Sequence, residues 1–205
     1  VKAYPLATFN LIPPAFREST YIAGGFAAQS AMAKDIDLWI CVPDEQIRRL
    51  TGLMNLPEIQ PWAAEYPLRE RVTPLGTAMH YDTTVQLFAY DGDVVGLLSE
   101  FDISTHAVAI NFQGVPYYAP TFTPIDQQPR VQRFTTPYTT LRRYFMICER
   151  YGHRPNWNDV CRLATEIVRD KAKWDKLKGY KPSPEDLVDD EEALRRYDTW
   201  EEHNA

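Results

Sequence analysis

The chain is poor in sulfur. Its 205 residues hold three cysteines, Cys41, Cys148 and Cys161, each inside an apolar pattern and none at metal-ligand spacing from another. So few exclude a disulfide framework, and they read as buried free thiols in a reducing compartment. Histidine is equally scarce: His80, His106, His153 and His203 are scattered, which argues against a zinc site. No run of 18 apolar residues is present, so neither a transmembrane helix nor a membrane partner is expected. No basic-then-apolar leader opens the chain, and a cytoplasmic location is the expectation; Val1 in place of methionine reads as a processed or trimmed start. Internal repeats are absent. Glycines number only 9 against 16 prolines, which implies many fixed turns.

Charge of either sign is not lacking, but it is segregated. The net charge is −6. Residues 185 to 205 carry nine acids against Arg195 and Arg196, whereas residues 130 to 178 carry twelve Lys/Arg against five acids. The basic segment fits either a phosphate-rich partner or a tail folding back on it; two solvated helix faces would give the same pattern. Length and apolar content suit one compact domain, with a helical appendage.

The most informative stretch is Tyr21 to Val42. It reads as a short strand, a Gly24-Gly25 turn, a small-residue helix over Phe26 to Ala33, and a second strand. Alternation along that second strand puts Asp35 and Asp37 on one face, about 6–7 Å apart, and Ile36 and Leu38 on the other. Two neighbouring carboxylates repel unless a cation or proton lies between them. A glycine turn lets backbone approach a ligand closely, and the helix after it offers free N–H groups to phosphate. Alone, the glycines fit a plain tight turn and the acids fit strand caps.

Gly24-Gly25 followed ten residues later by Asp35-Ile36-Asp37 resembles the signature of the polymerase-beta-type nucleotidyltransferase superfamily. A third carboxylate on a later strand is part of that signature, and Asp102 in Leu97-Leu98-Ser99-Glu100-Phe101-Asp102-Ile103 is the match, with Glu100 as an alternative. Over residues 18 to 152 the order of elements resembles uncharacterised, often virus-encoded members. Many relatives carry Ser and Arg after the glycines; this chain has Phe26, Ala27, Ala28 and Gln29.

The resemblance implies an α/β (α+β) fold, a small mixed sheet with flanking helices followed by a C-terminal helical segment. Residues 1–130 would form the catalytic core and 131–205 the helical segment with its acidic tail. It also implies a metal-dependent transfer of a nucleoside monophosphate from a nucleoside triphosphate to a hydroxyl on an RNA end, a protein or a small molecule. Asp35, Asp37 and Asp102 would hold two Mg²⁺ (or Mn²⁺), since hard oxygen donors favour these over zinc. Gly24 and Gly25 would seat the β and γ phosphates. Lys34, Arg142 and Arg143 are candidate triphosphate cations, with Lys34 and above all Arg143 preferred. A host-cytoplasmic location follows if the chain is virus-encoded. A fold of this kind used only to bind a nucleotide or a host partner is the alternative.

The remaining chain reads as follows. Asp44 to Met54 is expected as a capped amphipathic helix, and residues 55 to 75 as a loop. Strands are expected at Ala78 to Tyr81 and Thr83 to Tyr90, and a helix after Asp93 over Val94 to Glu100. A strand is expected from Ile103 to Phe112, with Val115 to Ala119 pairing back. Helices should begin at Thr136-Pro137 and at Asn156 or Asn158, and a third, acidic helix at Ser183-Pro184. His106, within an apolar run, reads as a satisfied structural histidine, and Trp39 as core.

Overall fold

The computed structural model describes residues 6–29, 33–53, 60, 71–80, 82–134 and 136–177. Among them lie six strands: β1 (Thr20–Ala23), β2 (Asp35–Val42), β3 (Val72–His80), β4 (Thr83–Asp91), β5 (Val108–Asn111) and β6 (Pro116–Tyr118). Four α-helices accompany them: α1 (Asp44–Leu53), α2 (Val94–Ser99), α3 (Pro137–Arg150) and α4 (Trp157–Leu177). The strands form one sheet in the order β3-β4-β2-β1-β5-β6. Only β2 and β4 run parallel; the other neighbours are antiparallel. The expected mixed α+β architecture is therefore present.

Alternation along β2 sets the two layers. Ile36, Leu38, Ile40 and Val42 are buried on one face with Val85, Leu87 and Ala89 of β4 and with Ile47 and Leu50 of α1. Trp39 and Cys41 face the other way, against Phe88 and Tyr90 of β4 and Leu97 and Leu98 of α2. A central strand covered on both faces needs this nearly continuous apolar sequence. Helix α2 starts where expected, because the Asp93 carboxylate accepts the Gly96 N–H at 2.7 Å. Pro137 opens α3, and Gly152, at φ +69°, follows its end. Asn156 Oδ1 accepts the N–H groups of Asn158 and Asp159 and caps α4. Ile103, Val131, Tyr144, Ile147, Cys148 and Leu163 make a third cluster, which ties α3 and the start of α4 to the chain just after Asp102.

Several expectations need correction. Residues 24–29 form a turn rather than the start of a helix, and Gln29 sits at φ +57°. Strand β3 begins at Val72, inside the expected loop. Pro74 concealed it: β3 borders the sheet and shifts register between Pro74 and Gly76, where a residue lacking an N–H is tolerated. The expected strand from Ile103 is a 3-10 turn at Ser104–His106 followed by the shorter β5. Residues 1 to 20, whose apolar run broken by Pro13-Pro14 reads as a loose arm followed by one or two helical turns, hold 3-10 turns both before the prolines, at Ala7–Leu11, and after them, at Pro14–Ser19, with Phe9 and Ile12 buried. Cys161 is exposed, unlike Cys41 and Cys148. The acidic segment and its helix at Ser183-Pro184 lie outside the described residues.

The chain divides into two compact units, Val1–Leu163 and Ala164–Ala205. Every side chain discussed below belongs to the first. In the second, Arg169 and Glu166 pair one helical turn apart at 2.6 Å.

Candidate active site

Asp35 and Asp37 begin β2 on the face opposite Ile36 and Leu38, both half-buried. Across the sheet Asp37 lies level with Gln86 of β4 on one side and Ala23 of β1 on the other, and Ala23 lies level with Ala109 of β5. Both alanines are fully buried in the cluster that Trp39, Phe88 and Leu97 form on this face. Burial pushes Asp37 up to about 7; the neighbouring Asp35 adds to the rise and Arg143 opposes it. Asp35 is also raised, mainly by burial, with its own backbone hydrogen bond and the exposed Lys34 pulling it back. Gln86 Nε2 donates to Asp35 Oδ2 at 2.6 Å. Among the described residues no side chain donates to Asp37.

The glycine turn leaves β1 directly beside this pair. Gly24 has φ +78°, and a Cβ there would lie 3.0 Å from Phe101 Cε1 and 3.5 Å from Asp37 Oδ2. Only a residue without a side chain allows so close an approach in this conformation. Its N–H is bonded to the Val108 carbonyl at 3.1 Å, and its own carbonyl accepts from Ala28. Of the two glycines, then, Gly25 has the N–H with no partner among the described residues.

Asp102 is buried and held from α3. It accepts a hydrogen bond from Thr140 Oγ1 at 2.8 Å and from Arg143 Nη1 at 2.9 Å to each carboxylate oxygen. Its backbone carbonyl accepts from Gln132 at 2.8 Å. Glu100, the alternative acid, pairs instead with Arg133. Arg143 thus grips Asp102 while its charge acts on Asp37 and on His106. The structure brings together Asp35, Asp37, Gly24 and Lys34 at one sheet corner, and ties Asp102 to Arg143. Sequence reasoning missed Gln86 and Thr140. Gln86 had one signal, a lone amide in the apolar run Val85 to Tyr90; Thr140 had only its place three residues before Arg143.

Arg143→Gln leaves a buried carboxylate with Thr140 alone. Because the guanidinium is itself nearly half exposed, the expected loss is about 1–2 kcal/mol, read from urea midpoints.

His106 is not the satisfied histidine expected from sequence: its buried Nε2 has no partner. Burial first, then the Arg143 charge, lowers its pKa to about 4, with Asp102 opposing. The unfolded chain, with an ordinary imidazole, takes up the proton first as pH falls. The stability due to neutral His106 is therefore complete above about pH 6.5 and drains away as pH falls towards 4. Discounted for partial exposure, the loss is about 2 kcal/mol. His106→Gln should shrink the difference between melting temperatures at pH 7 and pH 4.

Among the described residues no three His, Cys, Asp or Glu side chains cluster closely enough to hold a metal ion. The Asp35/Asp37 pair nevertheless fits a hard divalent cation. It has two carboxylates on one face, a surplus of negative charge, and one of the two without a donor. Mg²⁺ commonly takes only one or two protein carboxylates and completes its shell with phosphate oxygens and water.

No family model matches the chain, and no curated protein matches it. Solved structures do. An apo CCA-adding enzyme superposes with a TM-score of 0.50 at 14% identity, over 82% of this chain and 41% of that one. A CCA-adding enzyme with CTP, and the Thermotoga maritima CCA-adding enzyme complexed with tRNA, each give 0.43 at 12% identity, over 83% of this chain and 43% of theirs. This chain shares its fold with the apo CCA-adding enzyme. It spans about two fifths of the length of those enzymes. No described helix is long and apolar enough to cross a membrane.

Proposed function

We propose that the chain is a metal-dependent nucleotidyltransferase that moves a nucleoside monophosphate from a nucleoside triphosphate to a hydroxyl. The observation that carries this reading is the close approach of the Gly24 backbone to Asp37, which shares one face of β2 with Asp35. Asp35 and Asp37 would hold Mg²⁺ (or Mn²⁺), which when bound neutralises phosphate charge and activates the attacking oxygen. Gly25 presents its N–H to the phosphates and Gly24 keeps the turn tight against them. Lys34 and Arg143 supply positive charge.

In the transfer the acceptor oxygen bonds to the α-phosphorus as the bond to the β-phosphate bridge breaks. Pyrophosphate leaves, and the hydroxyl proton passes to Asp102. That role requires Arg143 to turn from Asp102 towards the triphosphate, a movement its exposed flank permits. Residues 1–130 would form the core and 131–205 the helical segment. The basic surplus of residues 130 to 178, twelve Lys/Arg against five acids, leans the acceptor towards an RNA end over a protein or a small molecule.

Incubation with α-labelled nucleotides, Mg²⁺, and cellular RNA or lysate tests the proposal. Label should move to an acceptor, and no transfer under any of the four nucleotides would overturn it. The engagement of Asp102 by Thr140 and Arg143 favours a second reading, a nucleotide-binding or host-interaction module without turnover. In that case calorimetry shows Mg²⁺-dependent triphosphate binding while no label moves.

A further inference from the structure

We propose that Gln86 is a positioning residue for the divalent cation, acting through Asp35; this rests on the reading of Asp35 and Asp37 as the metal-holding pair. Strand β4 runs parallel to β2, and in that register Gln86 lies level with Asp37 and Thr84 with Asp35. Its side chain nonetheless crosses to Asp35 and donates at 2.6 Å, a short bond of the charge-assisted kind. The amide orientation is dictated by chemistry, since the carbonyl end turned to a carboxylate would be repelled. Asp35 Oδ2 is therefore held by Gln86, and with it the plane in which the carboxylate would meet the ion. Asp37 receives no such donor among the described residues.

The strand around Gln86 gives no other reason for an amide here. Val85 and Leu87 are fully buried in one core, and Phe88 and Tyr90 lie in the other. An apolar residue at 86 would continue that packing at no polar cost. The amide instead faces the carboxylates. Partners of this sort, which orient a ligand without touching the ion, commonly govern affinity by about 10–100-fold.

The test is Mn²⁺ binding to the full chain, by electron paramagnetic resonance titration and by the rise in melting temperature on adding Mn²⁺, in the original chain, Gln86→Met and Asp37→Asn. Methionine keeps the length and removes the donor. Gln86→Met should bind Mn²⁺ about 10–100-fold more weakly, with a smaller Mn²⁺-induced rise in melting temperature. A purely structural amide would lower melting equally with and without Mn²⁺, leaving affinity unchanged, and that result overturns the inference alone. If the original chain binds no more Mn²⁺ than Asp37→Asn, the metal pair itself is wrong and the inference falls with it. Should Gln86→Met not fold, Gln86→Ala, which adds no volume, gives the same comparison.

Discussion

Asp35→Asn with Asp37→Asn should abolish nucleotidyl transfer while leaving the metal-free protein at least as stable. Removing a single preorganised electrostatic group from an active site costs about 10²–10³-fold in rate, so loss of both carboxylates that would hold the ion should exceed about 10³-fold. Stability should move the opposite way. Asp37 is raised to about 7 by burial and by Asp35, so the folded state keeps its proton when the unfolded chain has released it. The stabilisation from that proton is complete below about pH 4 and lost as pH rises through 7. Above that, the folded protein holds two repelling charges. Asn at both positions removes the repulsion, and melting at pH 8 in a chelator should rise by a few degrees. Added Mg²⁺ should raise the melting temperature of the original chain and not of the variant. Equal transfer by the two, or a variant that melts lower in chelator, would count the carboxylates as structural.

Gly24→Val should be the most damaging single substitution at the turn. A β-branched residue at φ +78° costs about 1–2 kcal/mol in backbone strain alone. Its Cβ would also meet the Phe101 ring at 3.0 Å, and overpacking of that kind adds about 1–3 kcal/mol. Phe101 lies edge-on to Trp39, which stacks on Phe88, so the ring has little room to yield. The summed loss, about 2–5 kcal/mol, would be read from chemical denaturation. Triphosphate binding should suffer beyond it, because the Gly25 N–H moves with the turn. Gly25→Ala, at the neighbouring glycine, is the comparison: a smaller stability loss with a similar binding loss would separate the turn's two duties.

Local signals carried most of the architecture. The Asp93 cap, the Pro137 start, the Gly152 stop and the alternation in β2 are all interactions within a few residues, and each is found in the fold. What stayed hidden depends on partners distant in the chain. Pro74 looked like loop chemistry because nothing local says that β3 is a border strand. The stretch after Gly25 has the composition of a helix, yet its backbone follows the demands of the turn. At the site, alternation alone could align Asp35 with Asp37. It could not show that a glutamine 51 residues away grips Asp35, nor that Asp102 is claimed by a threonine and an arginine on α3.

Both outermost strands contain a proline, Pro74 in β3 and Pro116 in β6. Each withholds a hydrogen-bond donor from its rim, and β6 is only three residues long. Gln60 already pairs with Thr77 on the outer side of β3, and at β6 a strand from another molecule meets a short, broken template, so recruitment of further chains into the sheet is discouraged there.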